Sequence, residues 1–127
     1  MTVLLDSWAW MEYFFGSEKG EKVRAILDEA SEPILATKVN VFEVYHKILK
    51  ERGKEPAERF VQFMLGRSHL DALDVDTLKL AAEEKKKYAL GMADAIILAT
   101  AVKHGARLFT GDPDFKRTAA LVETVFL

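Results

Sequence analysis

Hydrophobic residues fall along this chain in two alternating rhythms. Short runs with strand composition, TVLL at 2–5, ILAT at 34–37 and RLFT at 107–110, are separated by longer stretches in which apolar residues recur at helical spacing. The compact segment Trp8 to Phe15 predicts a helix stopped by Gly16. Ser17 opens another to about Ala30, with Val23, Ile26, Leu27 and Ala30 on one stripe. Thr37 is placed to cap a helix that runs to Arg52 and halts at Gly53. On it, Phe42, Tyr45, Ile48 and Leu49 form an apolar arc, while Glu43 lies beside Lys47, Lys50 and Lys54 on a mixed-charge face. Pro56 suits the first turn of a short helix carrying Phe60, Phe63 and Met64. Leu70 to Val75 reads as a strand, Asp76 as the cap of a helix from Thr77 to about Leu90, and Ala93 to His104 as a helix stopped by Gly105. VETVFL at 122–127 completes a set of four to five strands.

Strands alternating with helices predict an α/β fold: three αβα layers around a central, mainly parallel sheet, in one domain spanning 1–127. In such sheets ligands gather at the carboxyl ends of the strands. Asp6 and Asp112 each follow a short apolar strand, so neighbouring strands would bring both carboxylates to one end of the sheet.

Composition narrows the chemistry. The chain is 50% hydrophobic and 30% charged, a globular balance, and its net charge of −2 argues against non-specific wrapping of nucleic acid. It has no cysteine, which removes thiolate chemistry and fits a cytoplasmic protein. No basic leader precedes the first apolar run, and the longest apolar stretch, Ala95 to Val102, falls far short of a membrane span.

The acids have ordinary explanations when taken singly. Asp6 and Asp112 can cap the segments that follow them, the second with Pro113 at the first helical position. Asp114 suits a first turn, and Glu43 stands four residues before Lys47. Asp94 fits less comfortably. Its helix, ADAIILATAV, is apolar on all sides apart from Thr100, and a carboxylate at the start of a buried helix is costly unless capping or a cation compensates it.

Together, LLDS at 4–7, NVFEV at 40–44, ADAIILATAVKHG at 93–105 and LFTGDPDF at 108–115 resemble the PIN-domain ribonucleases, in particular the VapC-type toxins of toxin–antitoxin pairs. The likeness covers essentially the whole chain, and the last two motifs are the specific ones. It implies a metal-dependent endoribonuclease with Asp6, Glu43, Asp94 and Asp112 as core acids around Mg²⁺ or Mn²⁺, Asp114 as an auxiliary ligand, and hydroxyls from Thr110 and Ser7 beside the metal or a phosphate. An all-oxygen donor set without cysteine or clustered histidine independently selects a hard cation. His46, His69 and His104 are scattered and read as surface or cap residues.

Lys47, Lys50, Lys54, Lys103, Arg107, Lys116 and Arg117 are the cations that could track an RNA backbone, while Lys85 to Lys87 read as a solvated face. The aromatic run from Trp8 to Phe15 reads as core, with base stacking on Trp8 as the alternative. The resemblance also implies a homodimer and an antitoxin segment seated in an apolar groove, for which Phe14, Phe15, Phe60, Phe63 and Met64 are the candidates. Two other readings are a housekeeping PIN nuclease that processes ribosomal RNA and a receiver-like module that binds Mg²⁺ without catalysis.

Overall fold

Alternation within each short strand assigns successive residues to opposite sides of a five-stranded sheet. In the computed structural model, which describes residues 1–29 and 31–127, β1 (Val3–Leu5), β2 (Ile34–Ala36), β3 (His69–Leu70), β4 (Arg107–Thr110) and β5 (Thr124–Phe126) lie in the order β3-β2-β1-β4-β5. Every pairing is parallel, with Val3 opposite Ile34 and Arg107, and Leu5 opposite Phe109. Parallel strands require crossovers: α1 (Ser7–Phe15) and α2 (Glu18–Asp28) join β1 to β2, α3 (Lys38–Arg52) and α4 (Lys54–Arg67) join β2 to β3, α5 (Val75–Tyr88) and α6 (Met92–His104) join β3 to β4, and a 3-10 segment over Pro113–Thr118 joins β4 to β5.

The helices divide between the two faces. Val3, Leu5, Ile34 and Phe109 pack with Trp10 of α1, Val23 of α2, Val44 and Ile48 of α3, and Phe60 and Met64 of α4. Leu4, Leu35 and Leu108 face the other way, onto α5 and the apolar α6, joined by Phe115 and Val122. This is the expected three-layer αβα arrangement, with all five strands parallel.

Local chemistry shifts several boundaries. The third strand is only His69–Leu70, not Leu70 to Val75. Asp71 accepts a hydrogen bond from the Leu73 N–H at 2.8 Å, and Leu73 has φ +54°, which turns the chain out of the sheet. The cap of α5 is Asp74 instead of Asp76, because Asp74 accepts from both the N–H and the hydroxyl of Thr77 at 2.8 Å. On α3 the buried stripe is Asn40, Val44 and Ile48, so of the expected apolar arc Ile48 is buried and Tyr45 partly so, while Leu49 and Phe42 face outward, Phe42 70% exposed. The helix is rotated because Thr37 and Asn40 form a reciprocal capping box that holds Asn40 inward. The expected end of the second helix at Ala30 lies outside the described residues. His104 is not a bare surface residue: its Nε2 lies 2.7 Å from buried Asp71, pinning the end of α6 to the turn after β3. Among the described residues no helix is long and apolar enough to cross a membrane.

Candidate active site

Pairing of β1 with β4 brings both strand-end acids to the same edge of the sheet, and the Asp6 N–H donates to the Phe109 carbonyl at 3.1 Å. Asp6 is 3% exposed and caps α1, its Oδ1 accepting from the Ala9 N–H at 2.8 Å. Its Oδ2 accepts from the Thr110 hydroxyl, and that hydroxyl oxygen accepts from the Asp112 N–H at 2.9 Å. One threonine therefore fixes Asp6 and Asp112 relative to each other. Asp112 in turn accepts from the Asp114 N–H at 2.9 Å and opens a 3-10 turn over Pro113–Thr118.

Two helices bring the remaining acids. Glu43 does not pair with Lys47, which bonds Glu51 at 2.8 Å. It instead accepts from the Ser7 hydroxyl at 2.6 Å, and Ser7 accepts from the side-chain amide of buried Asn40 at 2.9 Å. Asn40 thus caps its own helix and orients Ser7, which positions Glu43. Its T-x-x-N spacing from Thr37 carried that signal in the sequence. Asp94 sits in the first turn of α6, whose cap is Gly91 with no side-chain cap bond. Capping thus accounts for part of the role of Asp6 and Asp112, and for none of Asp94.

Asp6, Ser7, Trp8, Glu43, Asp94 and Asp112 line one cleft of about 390 Å³. Carboxylate oxygens of Asp94, Asp112 and Asp114 lie within 4.8 Å of one another. Among the described residues, no lysine or arginine forms an ion pair with Asp6, Glu43, Asp94 or Asp112. Burial pushes the Asp94 carboxyl up to about 7, reinforced by repulsion from Asp112, a hydrogen bond with it, and repulsion from Glu43 and Asp6. Burial likewise pushes Asp6 up to about 6, against the stabilising hydrogen bonds from Thr110 and Ala9 and with added repulsion from Asp112 and Glu43. Crowded, uncompensated carboxylates with only oxygen donors fit a hard divalent cation.

A sequence model of the PIN domain matches residues 3–121. The chain belongs to the PIN-domain family. Ribonuclease VapC11 of Mycobacterium tuberculosis is 30% identical over 118 residues, covering 89% of this chain and 88% of that protein. Among solved structures, VapC20 of M. tuberculosis, a toxin that cleaves the sarcin-ricin loop, superposes with a TM-score of 0.80 at 16% identity, over 95% of this chain and 97% of that one. DNA-bound VapBC from Salmonella typhimurium gives a TM-score of 0.80 at 15% identity, over 99% of this chain and 98% of that one. The observed strand order also differs from the 2-1-3-4-5 order of a receiver-like module.

The predicted cations of this PIN domain divide by their partners. Lys103 binds Asp74 at 3.0 Å and lies 3.6 Å from Asp71, while Arg107 binds Glu32 at 2.9 Å. Arg117 donates to Asp114 at 3.1 Å and to the carbonyls of Tyr88 and Ala89, bracing the turn that carries Asp112. Lys50, Lys54 and Lys116 form no ion pair among the described residues, although Lys54 starts α4 and so does not extend the α3 row. Exposed Lys19, absent from the sequence-based set, stands over the Trp8 ring. Of the apolar groove candidates, Met64 is fully buried and offers no surface, because it packs beneath the sheet face with Phe60. Phe14, Phe60 and Phe63 do line a groove of about 390 Å³ beside Arg52 and Arg59, and Phe15 lies under the Arg52 guanidinium.

Proposed function

We propose that this PIN domain is a Mg²⁺- or Mn²⁺-dependent endoribonuclease, the toxin of a type II toxin–antitoxin pair acting in the cytoplasm. One observation carries the reading: Asp6, Glu43, Asp94 and Asp112 come from four separate elements and converge, without a basic partner, on one cleft at the carboxyl edge of the sheet. The 30% identity to a VapC ribonuclease supports RNA as substrate.

Asp94, Asp112 and Asp114 offer the closest oxygen set for the ion, with Asp6 and Glu43 on the cleft wall. When bound, a divalent ion supplies the electrophile that carboxylates lack, polarising the phosphodiester and acidifying attacking water. The protein's own residues orient that chemistry. Thr110 holds Asp6 and positions Asp112, while Ser7 aims Glu43 into the cleft. Asp94 carries a proton near neutrality in the metal-free protein, so ion binding must displace it and weakens as pH falls below about 7.

The antitoxin would seat a helical segment on Phe14, Phe60 and Phe63, where Phe60 meets Phe14 edge-to-face at 5.0 Å and Phe63 at a tilt at 5.7 Å between ring centroids, and the toxin would act as a homodimer. Purified protein incubated with single-stranded and structured RNA in Mg²⁺, Mn²⁺ or EDTA, with the cut ends mapped, tests the nuclease reading. Cleavage at discrete sites that EDTA abolishes is expected. Undiminished cleavage in excess chelator, from protein free of contaminating nuclease, would overturn the metal mechanism. Growth arrest on expression of the chain, relieved by the product of an adjacent reading frame, would separate a toxin from a housekeeping nuclease.

A further inference from the structure

Trp8 occupies an unusual place at the start of α1. Its neighbours Ser7, Ala9 and Trp10 are buried, yet Trp8 is only partly covered and forms part of the cleft wall beside the acids. A Cβ on Gly111 would lie 2.5–2.6 Å from three consecutive carbons of the indole benzo ring. Near-equal distances to three such atoms put Gly111 over the face of that ring, not at its edge. Any side chain there would push the indole away.

Gly111 stands between Thr110, which bonds Asp6, and Asp112, whose N–H bonds Thr110. The backing of the indole is therefore fixed to the same short segment that fixes two of the acids. Over the ring stands the ammonium of Lys19, 5.5 Å from its centroid. Lys19 is exposed and forms no ion pair among the described residues, so its flexible arm is free to move aside. A rigid aromatic face at the mouth of an acidic cleft, with a free cation above it, has the parts of a single-strand stacking site: a π surface for the base and a positive charge for its phosphate.

We propose that Trp8 is a nucleobase platform at the edge of the cleft, stacking a base next to the scissile phosphate while Lys19 takes up the neighbouring phosphate. This rests on the nuclease reading and deepens it, since it makes Trp8 a residue that sets how firmly the neighbouring nucleotide is held. Stacking tolerates every base, because each presents a π face.

The test uses a short single-stranded RNA with a terminal fluorophore, in Ca²⁺, whose looser coordination supports binding with little turnover. Trp10 is fully buried, so quenching of tryptophan emission on RNA binding reports Trp8. Quenching is expected for the wild type and lost in Trp8→Leu, which keeps apolar packing against Gly111 but removes the π face. Anisotropy should show Trp8→Leu binding about tenfold more weakly, with Trp8→Phe retaining most of the affinity. An RNA with one abasic position at the stacked nucleotide should lose a similar factor against the wild type and nothing further against Trp8→Leu, the signature of a direct pair.

Equal abasic penalties in wild type and Trp8→Leu, with no quenching, would overturn the platform while leaving the nuclease standing. Failure of the wild type either to bind RNA or to cut it in Mn²⁺ would remove both. If Trp8→Leu does not fold, as its melting curve would show, the quenching and the abasic scan on wild-type protein decide the matter.

Discussion

Replacing Asp94 by asparagine separates electrostatic crowding from structural capping. Asparagine keeps the size and hydrogen-bonding reach of the side chain and removes only its charge. In the folded, metal-free protein the Asp94 carboxyl stands at about 7 against 3.8 in an unperturbed chain. Its stabilising contribution is complete below the lower value and is lost as pH rises through the higher one. At pH 8 the ionised group thus costs the fold on the order of 4 kcal/mol, at about 1.4 kcal/mol for each tenfold shift. Solvent screening of a partly exposed carboxylate reduces that to on the order of 2 kcal/mol. Metal-free Asp94→Asn should therefore melt about 8 °C above the wild type at pH 8, and the gap should close as pH falls towards 4. Added Mn²⁺ should reverse the order: an ion at about a hundred times its dissociation constant stabilises a competent site by roughly 2.7 kcal/mol, and the variant should gain little of it. Scanning calorimetry at pH 8 and pH 4.5, with and without Mn²⁺, measures all of these differences. A variant less stable by the same amount at both pH values, with an unaltered metal shift, would refute the reasoning and leave Asp94 a structural residue.

Thr110→Val should leave Asp6 without its hydroxyl donor and the Asp112 N–H without an acceptor, lowering stability by about 1–3 kcal/mol in denaturant titration and moving the acidic limb of the pH–rate profile upward as Asp6 becomes harder to ionise. Gly20→Ala would set a Cβ 2.3 Å from the Glu12 carbonyl oxygen, so α1 and α2 must separate; a loss of about 1–3 kcal/mol or more, read from thermal melts, is expected without a specific change in metal affinity. Lys50→Ala combined with Lys54→Ala should weaken RNA binding and reduce the slope of log affinity against log salt by about 0.7 for each phosphate no longer neutralised, and an unchanged slope would assign both lysines to the solvated surface.

The strands that carry the cleft were legible because each is a short apolar run ending on a marked residue. Asp6 follows VLL, and Thr110, Gly111 and Asp112 follow RLF, so only their adjacency needed the third dimension. Asp94 was legible through contrast with the apolar helix behind it. Glu43 was legible only through the family resemblance of NVFEV, because helical periodicity assigned it to a charged face and gave no sign that Asn40 and Ser7 reach it from within. The outward turn of Phe42 was missed for the same reason: a capping box that buries Asn40 outweighs the apolar arc that would otherwise set the helix rotation. Nor could the sequence show which cations are free, since Arg107 and Lys103 are engaged by Glu32 and Asp74, residues distant along the chain. The two-residue β3 reflects a turn made by Asp71, whose negative charge His104 and Lys103 stabilise from the end of α6.

The pairing of β1 with β4 also sets a timetable. Leu5 meets Phe109, so Asp6 and Asp112 become neighbours only when a strand from the last fifth of the chain has inserted beside one of its first five residues. Contacts so distant in sequence form late and slowly in folding. A chain still emerging from the ribosome, or cut short before residue 112, lacks the fourth carboxylate of the cleft even when α1 to α4 have been made. Synthesis is directional, so the acids come together only after β4 has emerged, and any partner that recognises Phe14, Phe60 and Phe63 can meet its surface on α1 and α4 before the cleft is complete.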